Sequence, residues 1–257
     1  MMNVPFTKTA RILSLILLSG IFHLPFVTAQ PARIIILSPS AESEAEYLRM
    51  TLRELAFFEE YGYQLSLPRH PAMDSLKYKY RSGTADQNDS ARLHKVLSQT
   101  VFQASDYAKG YQAITARLPQ LEIMMDTLSR TGWNFPFRIF PEYTLQLTLY
   151  GPGGSYDPET GKIILMTTPG GAFKGYDDPA CTLIHEIIHM GIEHSIVRPL
   201  NLTHARKERL VDLLVLHFFG PLLPGYRIQT FGDSSLDSLL QIREDFLNLD
   251  SKLRKLP

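Results

Sequence analysis

Cysteine and net charge are what this 257-residue chain lacks most. Its one cysteine, Cys181, excludes an intrachain disulfide and any zinc site built mainly from thiolates. The 26 lysines and arginines balance 26 aspartates and glutamates, so the formal net charge is zero. Because proteins that bind nucleic acid carry clustered positive charge, we expect no nucleic acid among the partners.

Long apolar runs are also scarce, and the one that stands out lies at the start of the chain. It covers residues 12–22, follows Lys8 and Arg11, and precedes a small-residue sequence that ends at Ala29. This arrangement predicts a signal peptide over residues 1–29, with export to the periplasm or the exterior and no stable membrane span after cleavage. The alternative is an uncleaved membrane anchor, although the run is shorter than the roughly 20 residues that cross a bilayer.

The remaining composition is that of a globular protein. Hydrophobic residues make up 44% and charged residues 20%, which excludes a collagen-like fibre, a disordered chain and a multi-pass membrane protein. We expect residues 30–257 to form a single α+β domain with a mainly helical part, 30–140, and a catalytic part, 141–257. Apolar spacing in the first part predicts a strand at 33–37, helices at 41–61, 90–118 and 119–129, and an ordered loop at 64–80.

The second part changes character and alternates apolar with polar residues over 143–150, which predicts a strand. A turn between 155–156 and 162–166 predicts a hairpin. Residues able to cap helices then predict three helices, over 179–192, 204–219 and 233–253.

The pattern most informative about chemistry is the sequence His185-Glu186-Ile187-Ile188-His189. Histidines four residues apart lie on one face of a helix, where both rings can bind one divalent ion. The glutamate that follows the first histidine points beside the ion, where it can take a proton from zinc-bound water. The pattern therefore predicts a catalytic zinc centre with Glu186 as the general base.

A catalytic zinc usually keeps three protein ligands and one open position, so a third ligand is required. Glu208 is favoured because it lies on the next predicted helix, 19 residues after His189, with Asp212 one turn later on the same face. Asp212 could then accept the free ring N–H of a motif histidine. His194 stays open as an alternative third ligand, because one known arrangement places a histidine six residues after the second motif histidine and here it follows after five. Two further residues have the right type, Glu193 and His204.

Together, His185, Glu186, His189, Glu208 and Asp212 resemble the gluzincin (thermolysin-like) branch of the zinc metallopeptidases. The resemblance covers about residues 150–217 and includes the predicted hairpin. It implies a zincin-like domain with N-terminal helices, a small mixed β-sheet with an edge-strand hairpin, an active-site helix and C-terminal helices. It also implies one Zn²⁺ per chain and a peptide or protein substrate that adds a strand along the edge at Ser155 and Tyr156.

The residue that would stabilise the transition state is less determined. The chain has no room for the large C-terminal domain in which such enzymes keep a histidine for this purpose. Tyr226 and His217 are candidates by residue type, as are Tyr156, Tyr176 and Arg227.

The leading hypothesis is an exported zinc metallopeptidase in which Glu186-activated, zinc-bound water attacks a peptide carbonyl. The alternatives are a zinc hydrolase acting on a non-peptide amide and a non-catalytic zincin-fold binding module. The intact Glu186 argues against a binding module, because a structural zinc site does not need that carboxylate. The oligomeric state, the cleavage specificity and a propeptide within residues 30–140 are left open by the sequence.

Overall fold

A small mixed β-sheet forms the framework of the protein in the computed structural model, which describes residues 32–255. Its strands are β1 (Arg33–Ile36), β2 (Glu142–Thr148), β3 (Gly154–Asp157) and β4 (Lys162–Met166). They are ordered β1-β2-β4-β3, with β1, β2 and β4 parallel and β3 antiparallel to β4 at the edge. This arrangement confirms the predicted α+β class, the mixed sheet and the edge-strand hairpin. The predicted signal peptide, residues 1–29, lies outside the described residues.

Helices account for most of the remaining described chain. The α-helices are α1 (Ala41–Arg53), α2 (Leu55–Glu60), α3 (Ala72–Arg81), α4 (Gln87–Val96), α5 (Ala108–Thr115), α6 (Leu118–Arg130), α7 (Pro179–Ile192), α8 (His204–Phe219), α9 (Arg243–Leu247) and α10 (Leu249–Leu253). Short π-helical segments follow α4 and α7 at Leu97–Val101 and Glu193–Val197, and 3₁₀ turns occupy Ala104–Tyr107 and Ser234–Leu236. None of the helices within residues 32–255 is both long and apolar enough to cross a membrane.

Four local predictions are wrong. The segment predicted as a loop over 64–80 contains α3, because Met73 and Leu76 are buried and give it an apolar face. The helix predicted over 41–61 is interrupted at Glu54, and the one predicted over 90–118 is interrupted by extended backbone at Phe102 and Gln103. The one predicted over 233–253 is three short pieces. In these cases the chain bends to keep its apolar residues in the core, which sequence periodicity does not register.

Helix α7 is the central element of the larger hydrophobic core. All of its residues are buried, including the polar ones. It contacts strands β3 and β4 as well as helices α5, α6 and α8. A helix enclosed in this way is apolar on nearly every face, so its few polar side chains are either paired or aimed into a cavity.

A second hydrophobic core joins α1, α3 and α4 and is linked to the sheet through a buried carboxylate. The carboxylate of Glu44 accepts hydrogen bonds from the hydroxyls of Tyr107 (2.5 Å) and Thr148 (2.8 Å) and from the backbone N–H of Leu149 (3.1 Å). Strand β1, from the same N-terminal part, pairs with β2. Residues 32–140 and residues 141–255 therefore share strand pairing and buried polar contacts.

Candidate metal centre

Two capped helices bring the predicted metal ligands together. Asp178 caps α7 by accepting a hydrogen bond from the N–H of Ala180 (3.0 Å), with Pro179 at the first helical position. Thr203 caps α8 in the same way through the N–H of Arg206 (3.3 Å). Helices α7 and α8 pack against each other, so the histidine face of α7 meets the first turns of α8.

His185, His189 and Glu208 form one buried group that could hold a metal ion. The two Nε2 atoms lie 2.9 Å apart, and each is 3.2 Å from Oε2 of Glu208. An ion at about 2.0–2.1 Å from tetrahedrally arranged ligand atoms separates those atoms by about 3.3–3.4 Å. The three side chains therefore converge at nearly the spacing that a single tetrahedral ion requires, and two imidazoles with a carboxylate are a ligand set suited to zinc.

Hydrogen bonding fixes the orientation of His185. The hydroxyl of Tyr226 lies 2.6 Å from Nδ1 of His185 and 2.7 Å from Oδ1 of Asp212. Burial and the nearby Asp212 keep the pKa of Tyr226 well above its ordinary value, so the phenol keeps its single proton, which it donates to that carboxylate. The hydroxyl oxygen then accepts from Nδ1–H, which leaves the Nε2 lone pair facing the cluster. Asp212 thus acts on His185 through Tyr226; the distance from Oδ1 of Asp212 to Nδ1 is 3.6 Å.

Stacking holds His189 in place. The Tyr156 ring lies 4.9 Å from the His189 ring at an interplanar angle of 11°. Among the described residues, Nδ1 of His189 has no hydrogen-bond partner. Burial lowers the pKa of His189 to about 4, so its ring is neutral and able to donate a lone pair. Tyr156 is itself held by its hydroxyl, which contacts Glu193 (3.3 Å) and Lys207 (3.3 Å).

The carboxylate of Glu208 is charged despite being buried. Burial raises its pKa, but the opposing effects of His189 and His185 are larger and leave the pKa of Glu208 below its ordinary range. Lys207 also lies 3.7 Å from Oε1. A buried negative charge beside two imidazoles suits a cation, because the carboxylate is already desolvated.

Glu186 lies beside the ligand group on the wall of the same cavity. Burial raises the pKa of Glu186 to about 7. Strand β3 makes room for its carboxylate, since a Cβ added to Gly154 would lie 2.2 Å from Oε1 of Glu186. A carboxylate with a pKa near neutrality, next to a cation site, can accept and return a proton.

The cavity above this group has a volume of about 570 Å³. Aromatic side chains line it, namely Phe57, Phe58, Tyr63, Tyr156 and Tyr176. Cationic side chains lie among them, namely Lys174, Lys207 and Arg227. The edge strand contributes Gly154 and Ser155. The cavity therefore combines apolar surface with a few convergent polar groups, as small-molecule and peptide sites do.

Three of the predicted site residues are not brought to the cavity. His194 lies on the π-helical turn after α7, where it is exposed and its Nε2 is 3.4 Å from Glu159, so it does not join the ligand group. His217 stacks on Phe246 with ring centroids 4.4 Å apart. Tyr226 is buried behind His185 and contacts the ring nitrogen remote from the cluster. His217 and Tyr226 are absent from the described residues that line the cavity, so the geometry does not support their predicted role at a transition state.

Sequence reasoning missed Gln229. Its side-chain nitrogen lies 3.1 Å from Oε2 of Glu208 and 3.4 Å from Nε2 of His185. Gln229 is on an irregular segment after α8, where neither periodicity nor spacing marks it. The signals nearest to it are the predicted candidates Tyr226 and Arg227, three and two residues earlier.

Comparison with known proteins adds no relative. No family model, curated protein or solved structure matches the chain. The interpretation of the site therefore depends on its own chemistry.

Proposed function

We propose that this protein is an exported, zinc-dependent metallopeptidase. The observation that carries the proposal is the convergence of His185, His189 and Glu208 with the carboxylate of Glu186 beside them on the wall of one cavity. A structural zinc site is usually closed by four protein ligands, whereas a catalytic site keeps a position open and a base nearby. Here three side chains converge, and the carboxylate of Glu186 is the nearby base.

His185, His189 and Glu208 would hold the ion. When bound, zinc polarises a substrate carbonyl and lowers the pKa of water at the site. Glu186 is the residue we assign to proton transfer, since its carboxylate lies in the cavity and its pKa is raised by burial. Tyr226 and Asp212 act as positioning residues, because they hold His185 in the tautomer that presents Nε2.

Strand β3 supports a peptide as the substrate. It is the edge of the sheet, and its residues Gly154, Ser155 and Tyr156 line the cavity. An extended peptide can add to such an edge by main-chain hydrogen bonds, which would lay its carbonyls across the site. The alternative of a non-peptide amide stays a prediction of the sequence, and no feature of the cavity favours it over a peptide.

Metal content of the purified protein is the first test. We expect about one zinc per chain in the parent protein and in His194→Ala, and loss of zinc in Glu208→Ala. Glu142→Ala is a matched control, since the carboxylate of Glu142 pairs with Arg33 at the surface and does not line the cavity. If Glu208→Ala kept zinc and His194→Ala lost it, His194 would replace Glu208 as the third ligand. A parent protein without zinc after reconstitution would contradict the proposal.

Catalysis is tested separately with Glu186→Gln, which removes the base and keeps the side-chain shape. An enzyme should retain zinc and lose turnover of extended peptides by about 100-fold or more. A variant that hydrolyses peptides as fast as the parent would remove Glu186 from the mechanism. Absence of activity in both proteins with zinc in place would favour a binding module.

Export depends on residues 1–29. A fusion of this segment to a reporter that is active only outside the cytoplasm should give signal, and the mature protein should begin at Gln30. An intact N-terminus on a membrane-associated protein would favour the anchor instead.

A further inference from the structure

Residues 226–229, which follow α8, are held beside the candidate metal centre by several hydrogen bonds and a ring stack. The Tyr226 hydroxyl and the backbone N–H of Gln229 each donate to Asp212, at 2.7 Å to Oδ1 and 2.7 Å to Oδ2. The hydroxyl of Tyr176 donates to the carbonyl of Arg227 (2.8 Å), and the two tyrosine rings stack with centroids 5.1 Å apart. Each carboxylate oxygen of Asp212 accepts one of these hydrogen bonds, and together they hold the backbone of Gln229 against α8.

These contacts place the side-chain amide of Gln229 next to the ligand group, where a fourth ligand would lie. Its nitrogen is 3.1 Å from Oε2 of Glu208 and 3.4 Å from Nε2 of His185. A fourth tetrahedral ligand would lie about 3.3–3.4 Å from each of the other ligand atoms. The amide therefore satisfies this spacing towards two of the three ligands.

The chemistry of the amide suits both states of the site. Its NH₂ group and its carbonyl oxygen exchange places by a half-turn of the side chain. Without a cation, the NH₂ group can donate to Glu208 and to the lone pair on His185. With a cation among those atoms, the carbonyl oxygen becomes the favourable end, and as a neutral oxygen it binds a divalent ion weakly enough to be replaced.

Resting on the proposed metal centre, we propose that Gln229 is the exchangeable fourth ligand of the ion. In the resting protein its side-chain oxygen fills the position that a substrate carbonyl must take. Substrate or another small ligand then binds by displacing an intramolecular competitor, and its apparent affinity is reduced by the fraction of molecules in which the position is filled. Gln229 thus competes with substrate for one coordination position and does not take part in bond cleavage.

The test measures ligand exchange in addition to activity. The protein is loaded with Co²⁺, whose visible absorption reports the coordination of the ion. It is then titrated with azide, a monodentate ligand. Gln229→Ala should bind azide about tenfold more tightly than the parent, because the competitor is gone. Gln229→Glu should bind the metal more tightly and azide more weakly, because a carboxylate in the same place is a stronger ligand. The matched controls are Gln241→Ala and Gln241→Glu, on an exposed glutamine elsewhere, which should change neither affinity.

The outcomes separate this inference from the proposed function. Parent and Gln229→Ala proteins with equal azide affinity, both holding metal through Glu208, would show that Gln229 only hydrogen-bonds Glu208 and would overturn the inference alone. A parent that binds no metal would overturn both. Circular dichroism establishes whether each variant is folded. If Gln229→Glu does not fold, the azide affinity of Gln229→Ala alone tests the inference.

Discussion

At the scale of single residues, the two histidines of the centre are held by different forces. A hydrogen-bond chain through Tyr226 to Asp212 orients His185, and the face of Tyr156 orients His189. A hydrogen-bond chain sets a tautomer, whereas stacking sets only the plane of a ring. The two contacts are therefore expected to differ in their effect on metal affinity.

Tyr226→Phe should weaken zinc binding by about 10- to 100-fold, because it removes the acceptor that holds the Nδ1 proton of His185. The measurement is competition with a chromophoric chelator. Tyr143→Phe is the control, since the buried hydroxyl of Tyr143 accepts from the backbone N–H of Phe140 (3.2 Å) and Tyr143 does not line the cavity. Equal affinity of Tyr226→Phe and the parent would mean that Asp212, 3.6 Å away, orients His185 without help.

Gly154→Ala should displace Glu186, since the new Cβ would lie 2.2 Å from Oε1 and 2.7 Å from Cγ2 of Thr182. If Glu186 is the base, its displacement should cost about 100-fold in turnover, while the proposed zinc ligands are untouched and metal content should stay the same. Gly170→Ala is the control, because a Cβ there meets its nearest neighbour at 3.6 Å. Unchanged turnover in Gly154→Ala would show that Glu186 tolerates displacement.

At the scale of elements, α1 is joined to the end of β2 by the carboxylate of Glu44. Three hydrogen-bond donors converge on this buried group, and burial raises its pKa. Buried polar groups of this kind fix the position of one element relative to another, because each group finds its hydrogen-bond partners only when the elements are correctly placed.

Glu44→Ala should lower the free energy of unfolding by about 3 kcal/mol, because it leaves buried donors without an acceptor. Glu46→Ala, on the same helix, removes only a surface ion pair with Arg49 and should cost less than about 1 kcal/mol. Urea denaturation of both variants measures the difference. Similar costs for the two would mean that the buried donors find other partners.

At the scale of the whole molecule, the cavity is built from both parts of the chain. The hydroxyl of Tyr63 lies 3.0 Å from Nε2 of His204, at the start of α8, and Phe57 and Phe58 line the same cavity. The ligand group itself joins α7 to α8. Filling it with an ion would therefore stabilise several elements together.

Removal of zinc by a chelator should lower the melting temperature by about 8–16 °C. This range corresponds to about 4 kcal/mol of binding energy at a thousandfold excess of free zinc over the dissociation constant, in a domain of this size. Calorimetry with and without chelator measures it. Glu208→Ala should melt at the same temperature in both conditions, and a parent protein with equal melting temperatures would argue against metal linked to folding.

The features that the sequence by itself determined are those set within one helix or one hairpin. The bounds of α7 and α8 follow from their caps, and a spacing of four places His185 and His189 on one face whatever surrounds them. The β3–β4 hairpin is equally local, because its turn residues and flanking alternation lie within 13 residues.

Tertiary structure decided what depends on contacts between distant segments. It excluded His194 from the ligand group through the π-helical turn after α7, and it brought Gln229 and Tyr226 to the ligands from an irregular segment. It also interrupted the helices predicted over 41–61, 90–118 and 233–253. Local patterns carry the period of an element but not its neighbours, whereas side-chain partners and helix breaks are set by packing against residues far away in the chain.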